Sequence, residues 1–344
     1  MCKENGGGYL VQSNGLFLND RLRISLTNNC NFKCKYCSNE GQEHNTNTFI
    51  DLNFLSAFFD KIKIEKIYIK KINITGGEPL LHKDLLKIVS KSSDICKDIT
   101  INTNGSLLTK SLVDELAKTG VNCIKFGVDH PFKDYSKPVI NGVKIDSEEL
   151  RNIILYAIKV LPRSSLNIVV TQYNILDIPQ IIKWIINNSI DKTEIIELID
   201  FNFIRNTPSI GDEPYDFIEM IRSIKYNFLN IEYNEQLAKY IAYHHSGLII
   251  QFAEDFCKNR VCANLWTRID AHGAFSPCIK SNDSYPIDLN TSLRKQLSFQ
   301  KHLCCNSLSD YIPRDSCGNL TNEHQENTRN KEKYLTQQFT SLDL

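Results

Sequence analysis

From Leu22 onward two hydrophobic rhythms alternate along the chain. Short runs rich in β-branched residues, Leu22–Leu26, Lys71–Thr75, Ile99–Asn102, Cys123–Val128, Leu166–Thr171 and Glu194–Asp200, have the length and composition of strands. Between them Asn53–Lys63, Lys83–Ser92, Lys110–Thr119, Ser147–Leu161 and Ile178–Asn188 carry apolar residues at helical spacing. Asp51 or Asn53, and Ser147 ahead of Glu148 and Glu149, supply N-terminal caps. Strands alternating with helices predict βα units and a parallel sheet, because parallel neighbours need a crossover connection.

Beyond Asp200 this rhythm stops. The stretch Arg205–Pro214, with Pro208, Gly211 and Pro214, reads as an exit from the α/β unit. Helical patterns around Tyr215–Tyr226 and Asn234–Tyr243 follow, then an apolar run from Leu248 to Phe252. Trp266–Asp270 and Ala274–Ser276, joined through His272-Gly273, read as a hairpin. The tail from Gly318 to Leu344 is polar with few apolar anchors, so loose packing or disorder is expected there. The expected division is an extension at 1–19, a core at 20–205, a smaller lobe at 206–317 and a tail at 318–344.

With 344 residues the chain is long enough for one large core plus an appended lobe. Lys plus Arg number 40 and Asp plus Glu 40, so no global field favours nucleic acid or an anionic membrane, and no nucleic-acid partner is expected. Met1–Gly8 is short, polar and glycine-rich rather than a secretory signal, and no run of about 18 apolar residues spans a bilayer. A soluble cytoplasmic protein is expected. In a reducing compartment 12 cysteines are better explained by metal or cluster ligation than by disulfides. They group as Cys30, Cys34 and Cys37, then Cys257, Cys262 and Cys278, then Cys304, Cys305 and Cys317; Cys2, Cys96 and Cys123 stand alone.

The first group sits at C-x3-C-x2-C spacing just past the first strand. Three soft thiolates on so short a loop suit an iron–sulfur cluster, and the missing fourth local ligand leaves one iron open to an exogenous group. A zinc site would call for a second cysteine or histidine pair nearby, and only His44 follows. After the second strand comes Gly76-Gly77-Glu78-Pro79, where two glycines permit a sharp turn and close backbone approach. The third strand runs into Asn102-Thr103-Asn104-Gly105, which alone is a turn signal. Asp129 and His130 end the fourth strand as a candidate catalytic pair or as a hydrogen-bonded turn before Pro131. Glu197 interrupts the apolar run Ile195-Ile196-Glu197-Leu198, where burial demands a partner, and is a candidate for the cleft.

Together these motifs resemble the radical SAM superfamily, whose signature is this cysteine loop with an aromatic residue before the last cysteine, here Tyr36. The resemblance implies a partial (β/α)6 parallel barrel with its site at the C-terminal strand ends. It implies that Cys30, Cys34 and Cys37 hold a [4Fe-4S] cluster whose open iron chelates S-adenosylmethionine (SAM). By the same resemblance Gly76, Gly77, Glu78 and Pro79 form the turn that binds the SAM amino group, with Tyr36, Asn102 and Asn104 lining the same cleft. Related enzymes place a polar residue where Asp129 stands, which implies a contact to the SAM ribose or to substrate. Reductive cleavage of SAM implies an electron donor such as flavodoxin or ferredoxin.

The second cysteine group, Cys257-x4-Cys262-x15-Cys278, brackets the hairpin, which would return Cys278 towards Cys262. It resembles the auxiliary-cluster region of SPASM/twitch radical SAM enzymes and implies a second [4Fe-4S] cluster in a C-terminal auxiliary-cluster lobe; zinc or unligated thiols are the alternatives. Cys304, Cys305 or Cys317 would supply a fourth ligand, or the fourth iron would bind substrate directly.

Asp20-Arg21-Leu22-Arg23-Ile24-Ser25-Leu26-Thr27, Gly76–Pro79, Ile196-Glu197-Leu198 and the late cysteines are similar to the MoaA-like branch, the GTP 3′,8-cyclases of molybdenum cofactor biosynthesis. Arg23 and Lys71 match basic positions that family uses on its nucleotide. Asn73, however, replaces a second basic residue, Leu265-Trp266 interrupts the usual Asn-Arg run, the late cysteines are more widely spaced, and the chain ends Ser341-Leu342-Asp343-Leu344 without the family's Gly-Gly tail. A triphosphate needs clustered cations or helix N-termini, and these are thinned here. The resulting expectation is a MoaA-like enzyme that abstracts hydrogen from a different small polar substrate, a nucleotide or sugar derivative. The alternatives are a maturase modifying a ribosomally made peptide, for which the roughly 20 residues ahead of the core are too few to form a leader-recognition domain, and a non-catalytic iron–sulfur or zinc-binding protein.

Overall fold

All six strands expected between Leu22 and Asp200 form, as β1 (Arg21–Ser25), β3 (Lys71–Thr75), β4 (Ile99–Thr103), β5 (Val121–Gly127), β7 (Arg163–Val170) and β8 (Ile195–Asp200), while the short β2 (Lys33–Cys34) and β6 (Ile140–Asn141) pair antiparallel with each other outside this sheet. The computed structural model describes residues 21–34, 37, 39, 42–44, 46–133, 140–141, 146–170, 174, 177–188, 195–200, 231–234, 239–243, 248–253, 267–276 and 284–300. The five intervening helices are α1 (Leu52–Ile64), α2 (Leu85–Ser93), α3 (Lys110–Thr119), α4 (Ser147–Val160) and α5 (Ile178–Asn188). Asp51 caps α1 by accepting from the Phe54 N–H at 2.8 Å. At α4 the cap lies one residue earlier than Ser147: Asp146 accepts from the N–H groups of Glu148 and Glu149.

The six strands run parallel in the order β1-β3-β4-β5-β7-β8. Two strands from later in the chain lengthen the parallel stretch, β12 (Thr267–Ile269) beside β1 and β11 (Ile249–Ala253) beside β8. The apolar run at Leu248–Phe252 thus becomes a sheet strand. The hairpin also forms, with β13 (Ala274–Phe275) antiparallel to β12 and Ile269 opposite Phe275. Beyond it lies β14 (Tyr285–Pro286), and at the opposite edge are β10 (Lys239–Tyr243) and β9 (Ile231–Asn234). The helix expected over Asn234–Tyr243 is therefore a strand end and an antiparallel strand. Lys239-Tyr240-Ile241-Ala242-Tyr243 is dense in aromatic and β-branched residues, and pairing along all of β11 satisfies the backbone of an otherwise open edge. The pattern at 215–226 lies outside the described residues, as does the segment 318–344.

Side chains alternate across a strand, and here the alternation separates two environments. Ile72, Ile74, Ile99, Ile101, Ile124, Phe126, Leu166 and Ile168 join helix residues such as Leu55, Phe58, Val89, Leu116, Ile154 and Ile182 in one buried core. The opposite phase carries Arg23, Asn73, Thr100, Asn102, Lys125, Ser165 and Asn167. One face of the sheet is thus apolar and covered by helices, and the other is polar. A last helix, α6 (Leu293–Gln300), is anchored to the end of α1 by Glu65, whose carboxylate accepts from the Leu293 and Arg294 N–H groups at 2.9 and 3.1 Å and from the Ser292 hydroxyl at 3.1 Å.

Candidate active site

The segment that leads from β1 to Cys30 is clamped against the turn that follows β3. Leu26 N–H donates to Thr75 O at 2.8 Å, Gly77 N–H to Thr27 O at 2.7 Å, and Glu78 N–H to Asn29 O at 2.8 Å. The glycines are there for this backbone contact. A Cβ on Gly77 would lie 2.2 Å from Asn29 O, and one on Gly76, whose φ is +144°, would lie 2.5 Å from Thr27 O. Strand-end geometry and glycine chemistry therefore set the position of the cysteine loop.

Glu78 is fully buried and ties this turn to the next one. Its carboxylate accepts from Leu80 N–H at 3.0 Å, from the Thr103 hydroxyl at 2.8 Å and from Asn104 N–H at 2.8 Å. Burial pushes its pKa up to about 7, against the opposing pull of those three donors. Asn104 then returns to the cysteine loop, donating through Nδ2 to Asn31 Oδ1 at 2.9 Å and lying 3.8 Å from Cys30 Sγ. Asn31 in turn donates to the Ser106 hydroxyl at 2.8 Å. The three strand-end loops are one hydrogen-bonded unit.

Cys30, Cys34 and Cys37 are reduced, partly accessible thiols on that unit. Phe32 N–H points at Cys30 Sγ and Asn39 N–H at Cys37 Sγ, each at 3.3 Å, the donor arrangement that stabilises a thiolate. Burial pushes the Cys30 thiol up to about 11, with the Glu78 and Cys37 charges adding to the rise, so a thiolate here calls for a compensating cation. Among the described residues no three His, Cys, Asp or Glu side chains close on a single ion. A cluster asks something different, one thiolate per iron, and three sulfur donors with backbone N–H support fit it.

Other expected site residues are distributed differently. Asp129 accepts from Val169 N–H at 3.0 Å, and Asn174 Nδ2 bonds both Asp129 O and Val169 O, so this group locks the ends of β5 and β7 together. His130 is buried, with Nδ1 accepting from Phe132 N–H and Nε2 lying 3.0 Å from Asp177 Oδ2. Burial lowers its pKa against the pull of Asp177. Lys71 opens β3 at the end remote from the cysteine loop, and its ammonium pairs with Asp98 at 3.8 Å, which Arg163 also contacts. Glu197 lies in register between Asn167 and Gln251. Tyr36, Cys257, Cys262, Cys278, Cys304, Cys305 and Cys317 lie outside the described residues.

Arg23 does reach a site. A small cleft beside β1 is lined by Arg23, Ser25, Gln42, Thr75, Arg268 and Asp270, among others. Arg268, Gln42 and Asp270 were not evident as site residues in the sequence. Arg268 arrives because β12 pairs with β1 and places it directly beside Arg23. Gln42 bridges the cysteine-loop side to the hairpin, donating to the Ser25 hydroxyl at 2.6 Å and accepting from Ala271 N–H at 2.8 Å.

A parallel α/β sheet that presents a three-cysteine loop braced by a Gly-Gly-Glu-Pro turn defines a class of enzyme. The chain belongs to the radical SAM superfamily, whose profile matches residues 24–185. Within it the chain is MoaA-like. It is 31% identical over 279 residues to the GTP 3′,8-cyclase of Staphylococcus epidermidis, covering 75% of this chain and 78% of that one. It is 29% identical over 304 residues to the probable GTP 3′,8-cyclase of Methanocaldococcus jannaschii, covering 85% and 95%. The fold is similar to that of Streptococcus suis SuiB bound to the precursor peptide SuiA, with a TM-score of 0.59 at 17% identity over 86% of this chain and 68% of that one. It is also similar to anSMEcpe with bound AdoMet and Kp18Cys peptide, with a TM-score of 0.57 at 13% identity over 94% and 98%. Among the described residues no helix is long and apolar enough to cross a membrane.

Proposed function

We propose that this radical SAM enzyme abstracts hydrogen from a small polar metabolite, a nucleotide or sugar derivative with an anionic group, and that it is not a GTP 3′,8-cyclase. The observation that carries this reading is the cleft in which Arg23 and Arg268 lie side by side next to the cysteine-bearing unit. Paired guanidiniums suit a carboxylate or a single phosphate. A triphosphate asks for more positive charge, and the neighbouring positions supply little: Asn73, in register with Arg23, is neutral, and Lys71 is paired with Asp98.

Cys30, Cys34 and Cys37 would hold the [4Fe-4S] cluster, and Gly76–Pro79 would flank the SAM amino group. When bound, cluster and SAM supply the reductive cleavage that starts hydrogen abstraction. The chain's own contribution is to hold the three loops rigidly through Glu78, to orient substrate through the arginines and to exclude water at the strand ends. Cys257, Cys262 and Cys278 would hold a second cluster.

Anaerobic reconstitution with iron and sulfide, reduction by dithionite and incubation with SAM tests this reading. 5′-Deoxyadenosine should form, and added GTP should give no 3′,8-cyclised product. Absence of 5′-deoxyadenosine would end the enzyme reading, and GTP cyclisation would end the altered-substrate reading.

A further inference from the structure

Asn39 lies just past Cys37, is 2% exposed and takes a left-handed φ of +44°. Asparagine is one of the few residues besides glycine that accept this conformation readily, but its side chain does more than permit the turn. The Nδ2 group donates to Asn28 O at 3.0 Å and to Glu43 O at 3.1 Å, with Gln42 O at 3.4 Å. Carbonyls gathered around one end of a carboxamide fix that end as the nitrogen. Asn28 precedes Cys30 and Glu43 follows Cys37, so one buried side chain staples the entry of the cysteine loop to its exit.

The entry segment is thereby gripped from both sides. Successive carbonyls of an extended chain point in opposite directions. Thr27 O and Asn29 O accept from the Gly77 and Glu78 N–H groups, and Asn28 O, between them, accepts from Asn39. The Gly-Gly-Glu-Pro turn holds one side and Asn39 the other.

The same staple fixes the backbone N–H of Asn39, which points at Cys37 Sγ at 3.3 Å. The matching donor at Cys30 is the N–H of Phe32, a residue held by burial in the apolar core. Asn39 is polar, so hydrogen bonds do for Cys37 what apolar packing does for Cys30. Its Oδ1 is buried without a partner among the described residues, a cost that a residue kept only to brace the fold need not carry.

We propose that Asn39 is a positioning residue for the cluster: its carboxamide keeps the Asn39 N–H on the Cys37 sulfur, where that N–H favours the more negative, reduced state of the [4Fe-4S] cluster. This rests on the reading of Cys30, Cys34 and Cys37 as the cluster ligands. Hydrogen bonds to ligand sulfurs help to set the potential of iron–sulfur clusters, because a donor stabilises added negative charge.

Asn39→Gly tests this, since glycine keeps the left-handed backbone and removes the carboxamide. Asn47→Gly is the matched control: Asn47 is also left-handed, at φ +59°, but its carboxamide bonds to Asn29 Nδ2 at 3.1 Å rather than bracing a cysteine. The full-length variants and the wild type are reconstituted anaerobically and reduced with dithionite at controlled potentials. The reading is the electron paramagnetic resonance signal of the reduced cluster that changes when SAM is added, which separates it from a second cluster. At a fixed potential the reduced-to-oxidised ratio should fall about tenfold in Asn39→Gly, a midpoint lower by about 59 mV, and stay within about twofold of wild type in Asn47→Gly. Melting of unreconstituted Asn39→Gly should fall by less than about 10 °C, the share of its lost hydrogen bonds. A folded Asn39→Gly chain that takes up less than about half the iron of Asn47→Gly would also support the proposal. The proposal is overturned if Asn39→Gly keeps the wild-type iron content and ratio, if Asn47→Gly shifts the ratio equally, or if Asn39→Gly melts lower by more than about 10 °C, which would make Asn39 a strut of the whole fold. A wild type that binds no iron, or gives no SAM-responsive signal, overturns the ligand assignment as well; the other outcomes leave that assignment standing and decide only the role of Asn39.

Discussion

Gly77→Ala tests how the cysteine loop is held. The added Cβ would lie 2.2 Å from Asn29 O, 2.5 Å from Asn29 C and 3.0 Å from Cys30 N, all backbone atoms with no rotamer to yield. Carbon and oxygen meet comfortably at about 3.3 Å, so the two segments must part by about 1 Å. That parting breaks the 2.7 Å bond from Gly77 N–H to Thr27 O and the 2.8 Å bond from Glu78 N–H to Asn29 O. At about 1 kcal/mol each, plus about 1–3 kcal/mol of overpacking, the expected loss is about 3–5 kcal/mol. A displacement near 1 Å at a reacting centre costs on the order of 10²-fold in rate. Gly127→Ala is the stability control, since its Cβ would meet only Thr103 O, at 3.7 Å; its stability should stay within about 0.5 kcal/mol of wild type. Thermal melting of both variants, with 5′-deoxyadenosine formation measured for Gly77→Ala, reads the prediction. Wild-type melting and wild-type SAM cleavage in Gly77→Ala would refute the claim that this backbone contact positions the cluster ligands.

Glu78, with its carboxyl raised to about 7, favours the folded state most fully below the usual carboxyl range and loses that contribution as pH rises through about 7. The unfolding free energy should therefore fall by on the order of 3 kcal/mol more between pH 4.5 and 7 in the wild type than in Glu78→Gln, measured by urea titration; parallel profiles would contradict the assignment. Glu65 has the opposite sign: its bonds to Leu293, Arg294 and Ser292 hold its pKa below the ordinary value although burial opposes them, so its contribution is present above the usual carboxyl range and lost as pH falls through the depressed pKa. Glu65→Ala should lower stability by about 1.5–3 kcal/mol at pH 7 and speed amide exchange in α6, and unchanged exchange would deny that Glu65 docks the helix. Replacing Cys257, Cys262 and Cys278 together with Ala should reduce bound iron from about eight atoms to about four, and unchanged iron content would remove the second cluster.

Much of the sheet was legible because its strands are short, β-branched and bounded by turn residues, so β3 and α3 emerge with the limits that the pattern implies. Local pattern failed at Asn234–Tyr243, where a few apolar residues fit either period and only the presence of β11 as a partner decides for a strand. The cysteine loop and its Gly-Gly-Glu-Pro brace were legible because contiguous residues carry the chemistry. Arg268 was not, because it becomes a neighbour of Arg23 only through a strand pairing that joins distant parts of the chain. The same holds for Lys71, whose partner Asp98 is brought near by the pairing of β3 with β4. Asp129 could be read from sequence as a strand-end carboxylate, but its bond to Val169 N–H across to β7 belongs to the tertiary structure.

The central claim is that Cys30, Cys34 and Cys37, on loops held together by Glu78 and the Gly76-Gly77 turn, start radical chemistry on SAM. The most direct measurement is 5′-deoxyadenosine, quantified by liquid chromatography and mass spectrometry after anaerobic reconstitution and reduction, for the wild type and for the variant in which all three cysteines are Ala. The wild type should form 5′-deoxyadenosine and the triple variant none, while the melting of the unreconstituted chains stays similar. Equal formation by the two proteins, or none from a wild type that has bound its iron, would contradict the account.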